Sequence, residues 1–120
     1  MLDLTGKVAL VTGAGQGVGQ GIAVALAAAG AAVAVTGRTR AKLEQTCALI
    51  TERGRSALPI EGNVKDPGSL AAMVEQTVSQ FGGLDILVNN AQEVPNGPLL
   101  EVTDEAFVAG FESGPLASFR

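Results

Sequence analysis

Tyrosine, histidine and tryptophan are absent from this chain of 120 residues, and the aromatic share is 3%. A core must therefore be assembled from Ala, Val, Leu and Ile. Cysteine occurs once, at Cys47. One thiol makes no internal disulfide, and without His or a second Cys there is no ligand set for a structural zinc. The compartment expected from that cysteine usage is the cytoplasm. Positive charge is also scarce: the net charge is −4 and there is no basic run, which argues against nucleic acid and anionic membrane surfaces as partners. No stretch approaches the roughly 18 apolar residues of a membrane span. The opening MLDLTGKVALVTG leads into a strand pattern and lacks the organisation of a signal peptide. Repeats, low-complexity tracts and linkers are missing too, so residues 1–120 are read as one domain.

What the chain does have is glycine, 16 in all, and alanine. Lys7–Thr12 reads as a buried strand, followed by a helix over Gln16–Ala29 that Gly30 stops. Ala32–Thr36 is a second strand, and Arg40–Arg53 a helix with Leu43, Cys47 and Ile50 inward. Ser56–Glu61 is a third strand, placed at an edge by Pro59. Asp66-Pro67 opens a helix that runs to Phe81, with Leu70, Met73, Val74 and Val78 on one face. Leu84–Asn89 is a fourth strand and Glu93–Leu100 a loop. Asp104 is expected to cap a last helix, interrupted at Gly114 and Pro115. Glu101, Asp104 and Glu105 are read as that cap and its solvated first turn, with no metal role. Cys47 is read as a packing residue.

Apolar strands alternating with helices predict an α/β fold: a Rossmann-type, doubly wound parallel sheet, here incomplete, with four strands in the local order 3-2-1-4. Its crevice opens where the order reverses, beside the loops after Thr12 and Asn89.

The first of those loops reads TGAGQGVG, residues 12–19. A glycine turn between a strand and a helix N-terminus suits a phosphate or pyrophosphate, because the first helical N–H groups lack partners and the dipole favours an anion. Gln20-Gly21 after Gly19 excludes a P-loop, which requires Lys-Ser/Thr there. The spacing that fits is T-G-x-x-x-G-x-G, made by Thr12, Gly13, Gly17 and Gly19.

With these residues the chain resembles the short-chain dehydrogenase/reductase family along essentially its whole length. Thr12–Gly19 is similar to the family's glycine motif, Asn63-Val64 stands where the family has Asp-Val, and Asn89-Asn90-Ala91 resembles its Asn-Asn-Ala-Gly. The resemblance implies a dinucleotide cofactor. Gly13, Gly15, Gln16, Gly17, Val18 and Gly19 would hold the pyrophosphate, with Val18 near the nicotinamide; Asn63 and Val64 would flank the adenine; Asn90 and Ala91 would line the ribose. Asn89 would tie the central strands together. Gln92 replaces the family's glycine, so that loop is expected to be arranged differently.

After the second strand come Gly37 and Arg38, where a carboxylate would bind the ribose 2′-OH of NAD. A guanidinium suits a 2′-phosphate instead, so NADP is preferred to NAD. Gln16 weighs against NADP, since NADP-preferring relatives often carry Arg or Lys in that loop. Arg40 and Lys42 add charge or face water.

The family's proton relay through Tyr-x-x-x-Lys has no counterpart in a chain without tyrosine, so no catalytic residue is assigned. The helix Asn of many relatives falls at Gly114, next to Ser113. Three readings stay open: the cofactor-binding part of an oxidoreductase interconverting an alcohol and a ketone, the parent being a homo-oligomer; a non-catalytic nucleotide-binding or assembly module; and an inactive relic. The fourth strand is expected to lack a neighbour on its outer side, leaving unpaired backbone groups and half-covered Ile86, Leu87 and Val88. The 120-residue chain is therefore expected to self-associate. Sedimentation analysis should show species larger than a monomer, and a clean monomer melting cooperatively above about 45 °C would contradict this.

Overall fold

The fold is described from a computed structural model, which covers residues 2–92 and 98–120. Four parallel strands form one sheet: β1 (Val8–Thr12), β2 (Ala32–Gly37), β3 (Ala57–Glu61) and β4 (Ile86–Val88), in the order β3-β2-β1-β4. This is the expected doubly wound arrangement. β1 pairs with β2 from Val8 opposite Ala32 to Thr12 opposite Thr36, and with β4 through Leu10 opposite Leu87. Pro59 sits on edge strand β3, opposite Val35, where its missing N–H costs no central ladder bond.

The two faces of the sheet are covered separately. Helices α1 (Gly17–Ala28) and α2 (Arg40–Thr51) pack with Ala9, Val11, Val33 and Val35. The inward positions of α1 are Gly19, Ala23 and Ala27, small enough to bring the helix close to the strands. On the opposite face α3 (Pro67–Phe81) sets Met73 against Leu10, Ala34 and Ile60. Asp66 caps α3, its Oδ1 accepting from Gly68 N–H at 3.0 Å, and Pro67 takes the first helical position. Gly82, at φ +85°, ends it in the left-handed region.

Four local expectations are corrected. The buried stripe of α3 is Met73 and Thr77, flanked by Leu70 and Phe81, while Val74 and Val78 are exposed. Thr77 tolerates burial because its hydroxyl donates to Met73 C=O at 2.7 Å. β4 is shorter than Leu84–Asn89, because Asp85 is held at its entrance: its carboxylate accepts from Val8 N–H and its N–H donates to Val8 C=O. Helix α4 (Asp104–Phe111) is capped by Thr103, whose hydroxyl accepts from Ala106 N–H at 3.1 Å, so Asp104 falls in the first turn. Finally, Gly114 and Pro115 do not break the chain's helical path. A π turn, Glu112–Leu116, carries them into the short α5 (Ala117–Phe119). The wider turn accommodates a ring that would clash with the carbonyl four residues back in an α-helix. Of the loop expected over residues 93–100, positions 93–97 lie outside the described residues, and Leu99–Glu101 forms a 3-10 turn.

No helix among the described residues is long and apolar enough to cross a membrane. α4 buries no residue, and Phe107, Val108 and Phe111 are exposed along it. Leu87, on edge strand β4, is 51% exposed.

Thr36 lies inside β2 with its hydroxyl oxygen fully buried and without a hydrogen-bond partner among the described residues. Replacing that hydroxyl by a methyl removes the desolvation cost at constant shape. Thr36→Val should raise the unfolding free energy by about 1 kcal/mol in urea titration, and a loss of stability would show that the hydroxyl is satisfied.

Candidate functional site

The C-terminal ends of the four strands share one crevice of about 400 Å³. All the residues that the sequence singles out for a cofactor line it: Gly13, Gly15, Gln16, Gly17, Val18 and Gly19 after β1, Arg38 after β2, Asn63 and Val64 after β3, and Asn90 and Ala91 after β4. Thr39, Lys42, Gly62, Gln92 and Ser113 complete the wall with Gly37 and Leu43.

The glycines of the first loop divide by what surrounds them. A Cβ at Gly19 would stand 2.1 Å from Gly13 O, and one at Gly13 would stand 2.8 Å from Ala91 Cα. These two positions are kept bare by the protein's own backbone, so that α1 can start against the strand and the β4 loop can close over the turn. Gly17 is different. Its φ is +57° and nothing lies within 4 Å of a Cβ built there, so it serves the turn's path and faces open space.

Thr12 locks the junction. Its buried hydroxyl donates to Val88 C=O at 3.3 Å and accepts from the N–H groups of Asn90 and Ala91, each at 3.0 Å. The Asn90 side chain adds a bond from Nδ2 to Gly13 C=O at 3.1 Å. The tying role expected of Asn89, which is exposed, thus belongs to Thr12 and Asn90. A second lock joins the loop to α2. Thr46, fully buried, donates to Ala14 C=O at 2.8 Å and accepts from Gln20 Nε2 at 3.1 Å. Thr12 stands in the glycine motif, but the motif does not announce this junction, and Thr46, on an inward helix face, reads as ordinary packing until its partners are seen.

The start of α1 is open to the crevice. Gln16 is its N-cap, in extended backbone, but its side chain makes no cap bond. Instead Gln16 Oε1 accepts from Lys42 Nζ at 2.7 Å. The N–H groups of the first turn therefore face the crevice without a capping side chain, next to the positive end of the helix dipole.

Among the described residues the lining holds two cations, Arg38 and Lys42, and no carboxylate, in a chain of net charge −4. Arg40 is directed elsewhere, onto Glu44 at 3.2 Å. A side chain at Gly37, the place of an acid at the end of β2, would meet Leu43 Cδ2 at 3.2 Å, a tight contact that requires the fully buried Leu43 to shift by a few tenths of an ångström. Asn63 Oδ1 accepts from Lys65 N–H at 3.0 Å, which fixes the turn after β3 and leaves the oxygen one further lone pair. Gln92 lies over Gly114: a Cβ there would stand 3.3 Å from Gln92 Nε2. The bulk that replaces a glycine in one loop thus covers a bare position on the last helix. Ser113 is buried, with its hydroxyl donating to Gly110 C=O at 3.3 Å.

Away from the crevice, Cys47 is buried as expected, and burial pushes its thiol pKa up. No cluster of His, Cys, Asp or Glu able to hold a metal occurs among the described residues.

Comparison with known proteins agrees with this geometry. Residues 7–114 match the family model for short chain dehydrogenases. The chain is similar to versicolorin reductase 1 of Aspergillus parasiticus, 46% identical over 105 residues, which covers 87% of the chain and 40% of that protein. Among solved structures it is similar to a short-chain type dehydrogenase/reductase from Mycobacterium marinum, with TM-score 0.92 and 38% identity, covering 98% of the chain and 47% of that one. It is also similar to a short chain dehydrogenase from Burkholderia cenocepacia in complex with NADP, with TM-score 0.90 and 39% identity, covering 97% and 48%. The chain thus spans less than half the length of each of these relatives.

If the Thr12 hydroxyl holds β1, β4 and the glycine turn together, Thr12→Val should cost about 1–3 kcal/mol in urea unfolding, because Ala91 N–H loses its acceptor. Thr12→Ser, which keeps the hydroxyl, should retain most of the stability. Equal losses for the two variants would assign the effect to methyl packing instead.

Proposed function

The chain belongs to the short chain dehydrogenase family, and we propose that residues 1–120 form the NADP(H)-binding portion of an oxidoreductase that interconverts an alcohol and a ketone. The observation that carries this reading is the charge of the crevice: two cations and, among the described residues, no carboxylate, at the strand ends of a chain that is acidic overall. An anionic ligand is what such a wall selects.

When bound, the nicotinamide supplies or accepts the hydride. The chain's own residues bind and orient. The N–H groups at the start of α1 and the bare backbone of Gly15 and Gly17 take the pyrophosphate. Arg38 takes the ribose 2′-phosphate through its planar fork of donors. Asn63 and Val64 border the adenine, Asn90 and Ala91 the ribose on the nicotinamide side. Val18, 73% exposed at the lip of the crevice, offers an apolar surface to the nicotinamide.

Proton transfer to the substrate oxygen needs a general acid, and these residues contain no tyrosine to serve in a Tyr-x-x-x-Lys relay. In this reading that group and the pocket for the small-molecule substrate come from outside the 120 residues, in a cytoplasmic homo-oligomer. A second reading is a nucleotide-binding module without catalysis, and both require the cofactor to bind.

Fluorescence titration tests this. NADPH should bind more tightly than NADH, and Arg38→Ala should weaken NADPH by about ten- to a hundredfold while leaving NADH unchanged. No binding of either cofactor at millimolar concentration would overturn both readings.

A further inference from the structure

Lys42 lies in the first turn of α2, yet it belongs to the crevice. Its stem is placed by contact: a Cβ on Gly15 would stand 3.0 Å from Lys42 Cβ, so the glycine loop rests against the base of that side chain. Its ammonium is placed by a hydrogen bond to Gln16 Oε1 at 2.7 Å, across the mouth of the crevice. Gln16 could have capped α1 and does not; its side chain is committed to Lys42. Arg40, two residues earlier, is absent from the lining and neutralised by Glu44. Of the three cations at positions 38, 40 and 42, two therefore reach the crevice while the third is paired outside it.

We infer that Lys42, held by Gln16, is the second cation of the site that binds the phosphomonoester on the cofactor ribose, opposite Arg38. This rests on the reading of the crevice as an NADP(H) site. An ammonium has three donors, so one can stay on Gln16 while the others reach phosphate oxygens. Gln16 is then a positioning residue. A loop with no charge of its own acquires one from the neighbouring helix, which removes the objection that Gln16 poses to NADP. The bare end of β2 completes the selection, because no carboxylate stands at Gly37 to hold an unphosphorylated ribose, and a side chain there would have to displace Leu43 by a few tenths of an ångström.

The test compares NADPH, NADH and adenosine 2′,5′-bisphosphate binding to the purified protein at low and high salt. Lys42→Met keeps the stem and should weaken NADPH and the bisphosphate by about tenfold, flatten their salt dependence and leave NADH unchanged. Lys42→Arg should keep the preference for NADPH. Gln16→Leu should weaken NADPH by a smaller factor than Lys42→Met, and by more than it weakens NADH, and Arg40→Gln should change nothing. Wild-type preference for NADPH with Lys42→Met indistinguishable from wild type would overturn this inference and leave the cofactor reading standing. Equal losses for NADPH and NADH would also overturn it, by showing a structural role. Wild-type protein that binds none of the three ligands would overturn the cofactor reading and this inference together.

Discussion

Everything at the mouth of this sheet depends on how closely the turn after β1 approaches the loop after β4. Thr12 and Asn90 hold the two together with four hydrogen bonds. Gly13 and Gly19 give up their side chains so that the approach is sterically possible. With the turn pinned at that distance, the first N–H groups of α1 are left pointing into the crevice. The loop's third partner, α2, is fastened by Thr46 to Ala14 and Gln20. A buried hydroxyl that donates and accepts at once suits both junctions, because a side chain of valine shape would bury the same volume and satisfy none of these partners.

Placement then decides chemistry. In an open parallel sheet the carboxyl ends of the strands are where loops can converge without disturbing the core, and the crevice forms where the strand order reverses. Here the loops bring bare backbone, the four amide side chains of Gln16, Asn63, Asn90 and Gln92, and two cations to that place, and among the described residues they bring no acid. None of the described acidic residues lines that wall, which turns a modest local excess of positive charge into a distinct potential against the background. The exposed apolar side chains of α4 and β4 stand apart from this wall.

The sequence carried the strand order, the crevice and its candidate residues for concrete reasons. Apolar runs between helices of fixed length leave few ways to wind a sheet, Pro59 marked an edge, and Asp66-Pro67 marked a helix start. What escaped it was tertiary. The inward stripe of α3 turned through one position, since Thr77 can hide its hydroxyl on its own backbone and so compete with valine for a buried place. Pro115 lies within a π turn, an option that propensity alone does not announce. Thr12 and Thr46 were invisible as junctions, and Asn89 drew the role that Thr12 and Asn90 perform. Gln16 read as a missing charge until its partner on α2 was seen.

The central claim is that the crevice at the carboxyl ends of the strands receives a phosphorylated dinucleotide. The most direct measurement is a residue-resolved amide NMR titration of the isotopically labelled protein with NADP. The account predicts that the resonances of Gly15, Gly17, Val18, Arg38, Lys42, Asn63 and Ala91 shift in a saturable way. It also predicts that Gly6, Gly30 and Gly54, which line a smaller cavity near the start of β1 and β2, stay in place. Shifts confined to that second cavity, or no saturable shifts at all, would contradict it.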